Sequence, residues 1–220
     1  MDSNKNNSIT IYYSMFAEDS PETTQRLKYT LDKILKRKDL TNTHLFIRSD
    51  QKEYLEDILH NYKKEDIEKI RDRIYVYKNA STNSVEEHVN LLKATYNFVN
   101  ALNTYRPINN RINMINMEIY TSDYHVPKQK ILYKINKEIR NEIKEIKKEY
   151  DIKVEFNKVP TNYNLIKKLI LTVEHAIAGL FGYSEYLYVS VKEGIKGLYK
   201  SSWGLFGSKK LVDSTTAASY

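Results

Sequence analysis

Asp123, His125 and Lys128 fall within six residues of one another, and these types together suit proton transfer or phosphate binding. Imidazole is the side chain whose ordinary titration lies near neutrality, so His125 is the candidate general acid/base or phosphate contact. Lys128 supplies countercharge. Taken alone, a histidine at such a place equally well donates a structural hydrogen bond at a helix start. His44, His60, His88 and His175 are scattered, with no H-E-x-x-H or comparable ligand spacing, so no dedicated metal site is expected. The chain has no cysteine, which excludes disulfides, thiolate metal sites and cysteine nucleophiles. G-x-G-x-x-G, G-x-x-x-x-G-K-[ST] and G-x-S-x-G are all absent. A conventional NAD site, a Walker-type NTPase and an α/β-hydrolase nucleophile therefore have no motif to rest on.

Five strand-like runs position these residues. Residues 8–16, 44–47, 74–77, 117–120 and 153–156 are rich in β-branched and aromatic side chains. Between them lie helical stretches with start signals. Ser20-Pro21-Glu22 combines a cap, a proline suited to the first helical position and an acid at the positive end of the dipole. Asp50 with Glu53, and Ser84 with Glu87, are three apart as in capping boxes, and another helix is entered at Pro127. Strands alternating with helices predict an α/β fold with a doubly wound, mainly parallel five-stranded sheet of Rossmann-like type, followed by a helical C-terminal extension.

In such a sheet, ligands bind beyond the carboxyl ends of the strands, against helix N-termini. The residues expected at that edge are Ser14, Asp19 and Ser20 after the first strand, and Arg48, Ser49 and Asp50 after the second. Ser81, Asn83 and Ser84 follow the third, and Thr121, Ser122, Asp123, His125 and Lys128 follow the fourth. Hydroxyls and amides there suit an anionic or nucleotide-like ligand, with Arg48 and Lys128 as countercharges. Any single one serves equally well as a helix cap; their gathering on one edge favours a site.

Two of these segments go further. Ser81-Thr82-Asn83-Ser84-Val85-Glu86 and Ile119-Tyr120-Thr121-Ser122-Asp123-Tyr124-His125-Val126-Pro127-Lys128 resemble the S-x-N-T-x-E-N and T-S-x-x-H-x-x-R signatures of the YdcF/SanA/ElyC-like family. Arg26-Leu27 looks like that family's R-L helix, and Glu53 stands where it has a glutamate opening the second helix. The resemblance implies a Rossmann-like domain over residues 8–157 with a pocket for a small polar or phosphorylated, nucleotide-like molecule, S-adenosylmethionine among the cofactors suggested. It implies Asn83, Ser84, Glu86, Thr121 and Ser122 as ligand contacts, and leaves catalysis open. Ser84 replaces the motif threonine, Glu87 the asparagine and Lys128 the arginine, and Arg48-Ser49-Asp50 stands where the family has a glycine pair.

The chain has 220 residues, 41% hydrophobic and 29% charged, enough for one cored domain with an appendage. Mean hydropathy is −0.62, with no long uncharged apolar run. The polar start MDSNKNNS reads as neither signal nor transit peptide, so a cytoplasmic location is expected. Net charge is +7, which admits nucleic acid or an anionic membrane as partner. Residues 128–149 carry eight basic and four acidic side chains, read first as a solvated helix face with Lys134 and Glu138 paired. Residues 158–200 form the expected helical extension, with a stripe of Leu165, Leu169, Val173 and Ile177 packed on the sheet, and 201–220 a flexible tail. The alternative to a ligand pocket is a non-enzymatic module that binds such surfaces through its basic helices and aromatic C-terminal segment.

Overall fold

The computed structural model describes residues 7–15, 20–78 and 83–181. Strand β1 (Ser8–Ser14) leads to helix α1 (Ser20–Leu35), then β2 (Thr43–Arg48), a single 3-10 turn and α2 (Lys52–Leu59). Next come α3 (Lys64–Arg71), β3 (Ile74–Tyr77), the long α4 (Ser84–Thr104) and β4 (Met114–Ser122). The described chain ends with α5 (Val126–Ile135), α6 (Lys137–Ile146), β5 (Asp151–Val159) and α7 (Leu165–Phe181). All five strands pair in parallel, in the order β3-β2-β1-β4-β5. The chain winds outward from β1 to β3, then crosses to β4 on the other side of β1, so the topological switch point lies between β1 and β4.

Each sheet face carries its own core. Leu27, Leu31 and Ile34 of α1, Leu55 and Ile58 of α2 and Ile70 of α3 bury against Tyr12, Leu45 and Ile47. On the other face Leu91, Leu92 and Val99 of α4, Leu132 of α5 and Ile139 and Ile146 of α6 bury against Ile9, Ile11, Phe46, Ile115 and Met117. Strand polarity is carried by tyrosine: Tyr12 and Tyr120 of neighbouring strands stack with ring centroids 5.9 Å apart.

Several local expectations are corrected. Strand β4 extends beyond residues 117–120 at both ends: Asn116 alternates with buried Ile115 and Met117 on one side, and the polar Thr121 and Ser122 continue the buried run on the other. Strand β5 runs to Val159, so a boundary at 157 falls inside it. The Asp50–Glu53 capping box does not form. Gln51 accepts from the Arg48 backbone N–H instead, at 3.1 Å, while Asp50 is drawn to the Arg48 guanidinium. Asn83, not Ser84, caps α4, accepting from the Val85 and Glu86 N–H groups at 3.0 Å each. The basic stretch 128–149 is not one helix. Asn136 ends α5 and caps α6, accepting from Glu138 and Ile139 N–H, and no Lys134–Glu138 ion pair forms among the described residues.

The largest difference is α7. Its stripe faces outward rather than onto the sheet: Leu165 is 82% exposed, Leu169 64% and Val173 43%. The opposite side seats on α5. A Cβ at Gly179 would stand 3.3 Å from both Cγ and the carbonyl oxygen of Lys128, so the two helices approach closely here and an added side chain would press Lys128 aside by a few tenths of an ångström. The remainder of the expected extension and the tail lie outside the described residues. Among those described, no helix is long and apolar enough to cross a membrane.

Candidate functional site

The carboxyl edge gathers two buried polar networks. The first is centred on Arg26, which emerges from the second turn of α1 and is fully buried. Its Nε donates to Ser122 Oγ at 3.0 Å, Nη1 to the Met15 carbonyl at 3.2 Å, and Nη2 to Glu22 Oε1 at 2.8 Å. Nη2 also reaches His125 Nδ1 at 3.0 Å. Glu22, one turn earlier, further accepts from the Ser122 hydroxyl and, at 2.9 and 3.0 Å, from Tyr124 OH. Burial alone would raise the Glu22 pKa. The Arg26 charge and these hydrogen bonds outweigh it and hold the carboxyl below its ordinary value.

His125 closes this network. With Arg26 on Nδ1, its Nε2 meets Nε2 of His175, from α7, at 3.0 Å. The two rings stand edge to face, 4.1 Å between centroids, and Tyr124 packs against both. Burial pushes the His125 pKa far below the usual histidine range, and His175, Arg26 and Lys128 push the same way. This imidazole is neutral throughout the physiological range. Beside it, Asp123 accepts from Lys168 of α7 at 2.8 Å and from Thr161 at 2.9 Å. These bonds outweigh its burial and hold it below the ordinary carboxylate value.

The second network lies toward β2 and β3. Arg48 donates to Asp50 through Nε at 2.9 Å and Nη2 at 2.5 Å, and its Nη1 stands 3.7 Å from buried Glu87. Tyr13 OH donates to Glu87 at 2.5 Å. Lys128, 5% exposed, donates to Ser84 Oγ at 3.2 Å; burial lowers the pKa of His88 and of His125, and the Lys128 charge acts in the same direction on both. Gln51 ties the strand ends together by donating to the Ser14 carbonyl at 3.0 Å.

Of the residues expected at this edge, Ser122, Asp123 and His125 are committed to protein partners, and Asn83 spends its carbonyl oxygen on the α4 cap. Ser14 and Thr121 are fully buried near the carboxyl ends of β1 and β4, and their hydroxyls have no hydrogen-bond partner among the described residues. Ser49, Glu53 and Glu86 stand exposed in the turns that open α2 and α4. Asp19, Ser81 and Thr82 lie outside the described residues. Glu22, Tyr124, His175, Glu87 and Lys168 are site members the sequence reading did not single out. The Glu22/Arg26 spacing of four after a strand is a usable signal for an ion pair; nothing local marks His175, which joins from fifty positions away.

Among the described residues, no group of three or more histidine, aspartate or glutamate side chains is placed to hold a metal ion. The arrangement suits anion recognition by buried cations and hydroxyls, and proton exchange at His125 Nε2 when that atom is open. No family model matches the chain, and no curated protein matches it.

Proposed function

We propose that this chain binds a small phosphorylated, nucleotide-like ligand at the carboxyl edge of its sheet. The observation that carries the reading is the pair of fully buried hydroxyls without a partner among the described residues, Ser14 and Thr121, near the ends of the two strands that bound the switch point, at the edge that also carries the buried side chains of Arg26, Arg48 and Lys128. Buried polar atoms are almost always hydrogen-bonded, and two orphans at the strand ends where α/β sheets bind ligands are explained by a ligand. The resemblance of the Asn83 and Thr121–Lys128 segments to the YdcF/SanA/ElyC-like signatures supports the same edge, and brings S-adenosylmethionine in as a further candidate.

The test is a thermal-shift titration of the full chain with inorganic phosphate, nucleoside phosphates, sugar phosphates and S-adenosylmethionine. A native-state ligand raises the melting temperature as its concentration passes Kd. A phosphorylated compound should raise it, and the rise should vanish in Thr121→Val and Lys128→Gln. No rise with any compound, or a rise kept in both variants, sinks the reading.

One observation favours a second reading. The outward stripe of Leu165, Ile166, Leu169 and Val173 on α7, in a chain of net charge +7, suits docking on an anionic lipid surface. Vesicles containing phosphatidylserine should then co-sediment with the protein at low salt, and Leu169→Asp should abolish it. Competition by duplex DNA with no vesicle binding would reassign the surface to nucleic acid.

A further inference from the structure

Arg26 dictates which nitrogen of His125 carries the proton. A guanidinium only donates hydrogen bonds, so its 3.0 Å contact makes His125 Nδ1 an acceptor. The neutral ring therefore carries its hydrogen on Nε2 and directs it at His175 Nε2, also 3.0 Å away. His175 must accept there with an unprotonated nitrogen. Protonating His175 places N–H groups on both sides of the contact, and the hydrogen bond becomes an opposition of two donors. A tautomer shift of His125 offers no escape, because Arg26 is itself fixed by Glu22, Ser122 and the Met15 carbonyl.

The charges around the pair act in the same direction. Arg26 approaches from α1 and Lys128 from α5, and both disfavour a further positive charge. The nearby carboxylates are already engaged, Glu22 with Arg26 and Asp123 with Lys168. Tyr124 packs on both rings and donates its hydroxyl to Glu22, and Tyr163 packs on Tyr124. On α7 itself, Glu174 is the chain neighbour of His175 and Lys168 lies about two turns before it.

We propose that the His125–His175 contact is a proton-operated latch, which holds α7 across the carboxyl-edge site while His175 is neutral and releases it when acid protonates that ring. What release uncovers rests on the ligand-site reading above: His125 Nε2 is the ring nitrogen left for a ligand, since Arg26 occupies the other. The contact contributes while His175 is neutral and is lost once it is charged. Release is a swing rather than a detachment. Asp123 is held below the ordinary carboxylate range, so its 2.8 Å pair with Lys168 near the start of α7 outlasts the latch. His175 and Gly179 lie toward the far end.

Because the chain has no cysteine, spin labels on introduced pairs can read this motion by electron–electron distance measurement. Val173→Cys on the outer side of α7, paired with Lys130→Cys on α5, reports the latch. Glu53→Cys with Lys130→Cys, both exposed, reports the body. Between about pH 8 and about pH 5 the α7 distance should change by about 10 Å, one helix diameter, while the body distance stays constant. In His175→Gln, whose amide oxygen accepts from His125 at any pH, the α7 distance should not change. A constant α7 distance in the parent chain, an equal change in His175→Gln, or a change in the body pair each overturns the latch. The readout needs no ligand, so the two readings fail separately. An α7 that moves with no compound binding at about pH 5 sinks only the ligand site; binding with α7 immobile sinks only the latch.

Discussion

Arg26 engages Glu22, Ser122, His125 and the Met15 carbonyl through its guanidinium. Removing one member of a buried ion pair leaves the other desolvated and uncompensated, which costs more than the pair itself contributes. Arg26→Met should therefore lower stability by about 3 to 5 kcal/mol, read by urea denaturation; a loss under about 1 kcal/mol would mean water reaches Glu22 freely. Thr121→Val should act in the opposite direction. Its hydroxyl is buried without a partner, so an isosteric methyl relieves a desolvation cost of about 1 kcal/mol. A residue whose loss stabilises the empty protein and abolishes ligand binding is there for the ligand. Destabilisation on Thr121→Val would show that the hydroxyl is already satisfied.

Helix α7 is a two-sided element. The inner side carries His175, Lys168 and Gly179 against α5 and the edge, and the outer side carries an apolar stripe. Its seat depends on Gly179, where any Cβ meets Lys128 at a distance tighter than ordinary contact. Gly179→Leu should lift the helix, with loss of amide-exchange protection over 165–181 while β1 and β4 stay protected. Retained protection over α7 would show that the seat tolerates bulk. The basic stretch broken at Asn136 makes the complementary point. An asparagine there serves α6 better as a cap than it would serve a continuous helix as an interior residue, so the charges of 128–149 are divided between two helices.

For the whole molecule, histidine burial sets the response to acid. His44 is pushed down to about 4 by burial, with Arg73 and Arg106 adding to it, and His88 and His125 are also lowered chiefly by burial. In the unfolded chain each titrates near 6.5. Below that value the unfolded state binds more protons than the folded one, so stability is complete above about pH 7 and falls as the pH drops toward about 4. The melting temperature should follow that course, less steeply in His44→Phe. A flat profile over this range would mean that these rings titrate normally in the fold. Glu22 and Asp123, held low by their partners, add a second loss at more acid pH.

The positions of all five strands, the starts of α1, α4 and α5 and the parallel doubly wound class were legible in the order of residues. They depend on local signals: β-branched and aromatic runs, caps, and apolar spacing. Strand ends were less so, because a polar residue between buried neighbours, such as Asn116, looks like a break until its neighbours are seen to pair. Site membership divided the same way. Ser14, Thr121 and Lys128 could be placed at the carboxyl edge because residues that follow parallel strands lie there. What each does depends on contacts between segments far apart in the chain, and those exist only once the helices have packed. Only the tertiary structure decides that Ser122 is spent on Arg26 and Glu22, that His125 is neutral, and that His175 stands across it. Hydrogen-bond direction and burial belong to the assembled edge, and no window of sequence contains them.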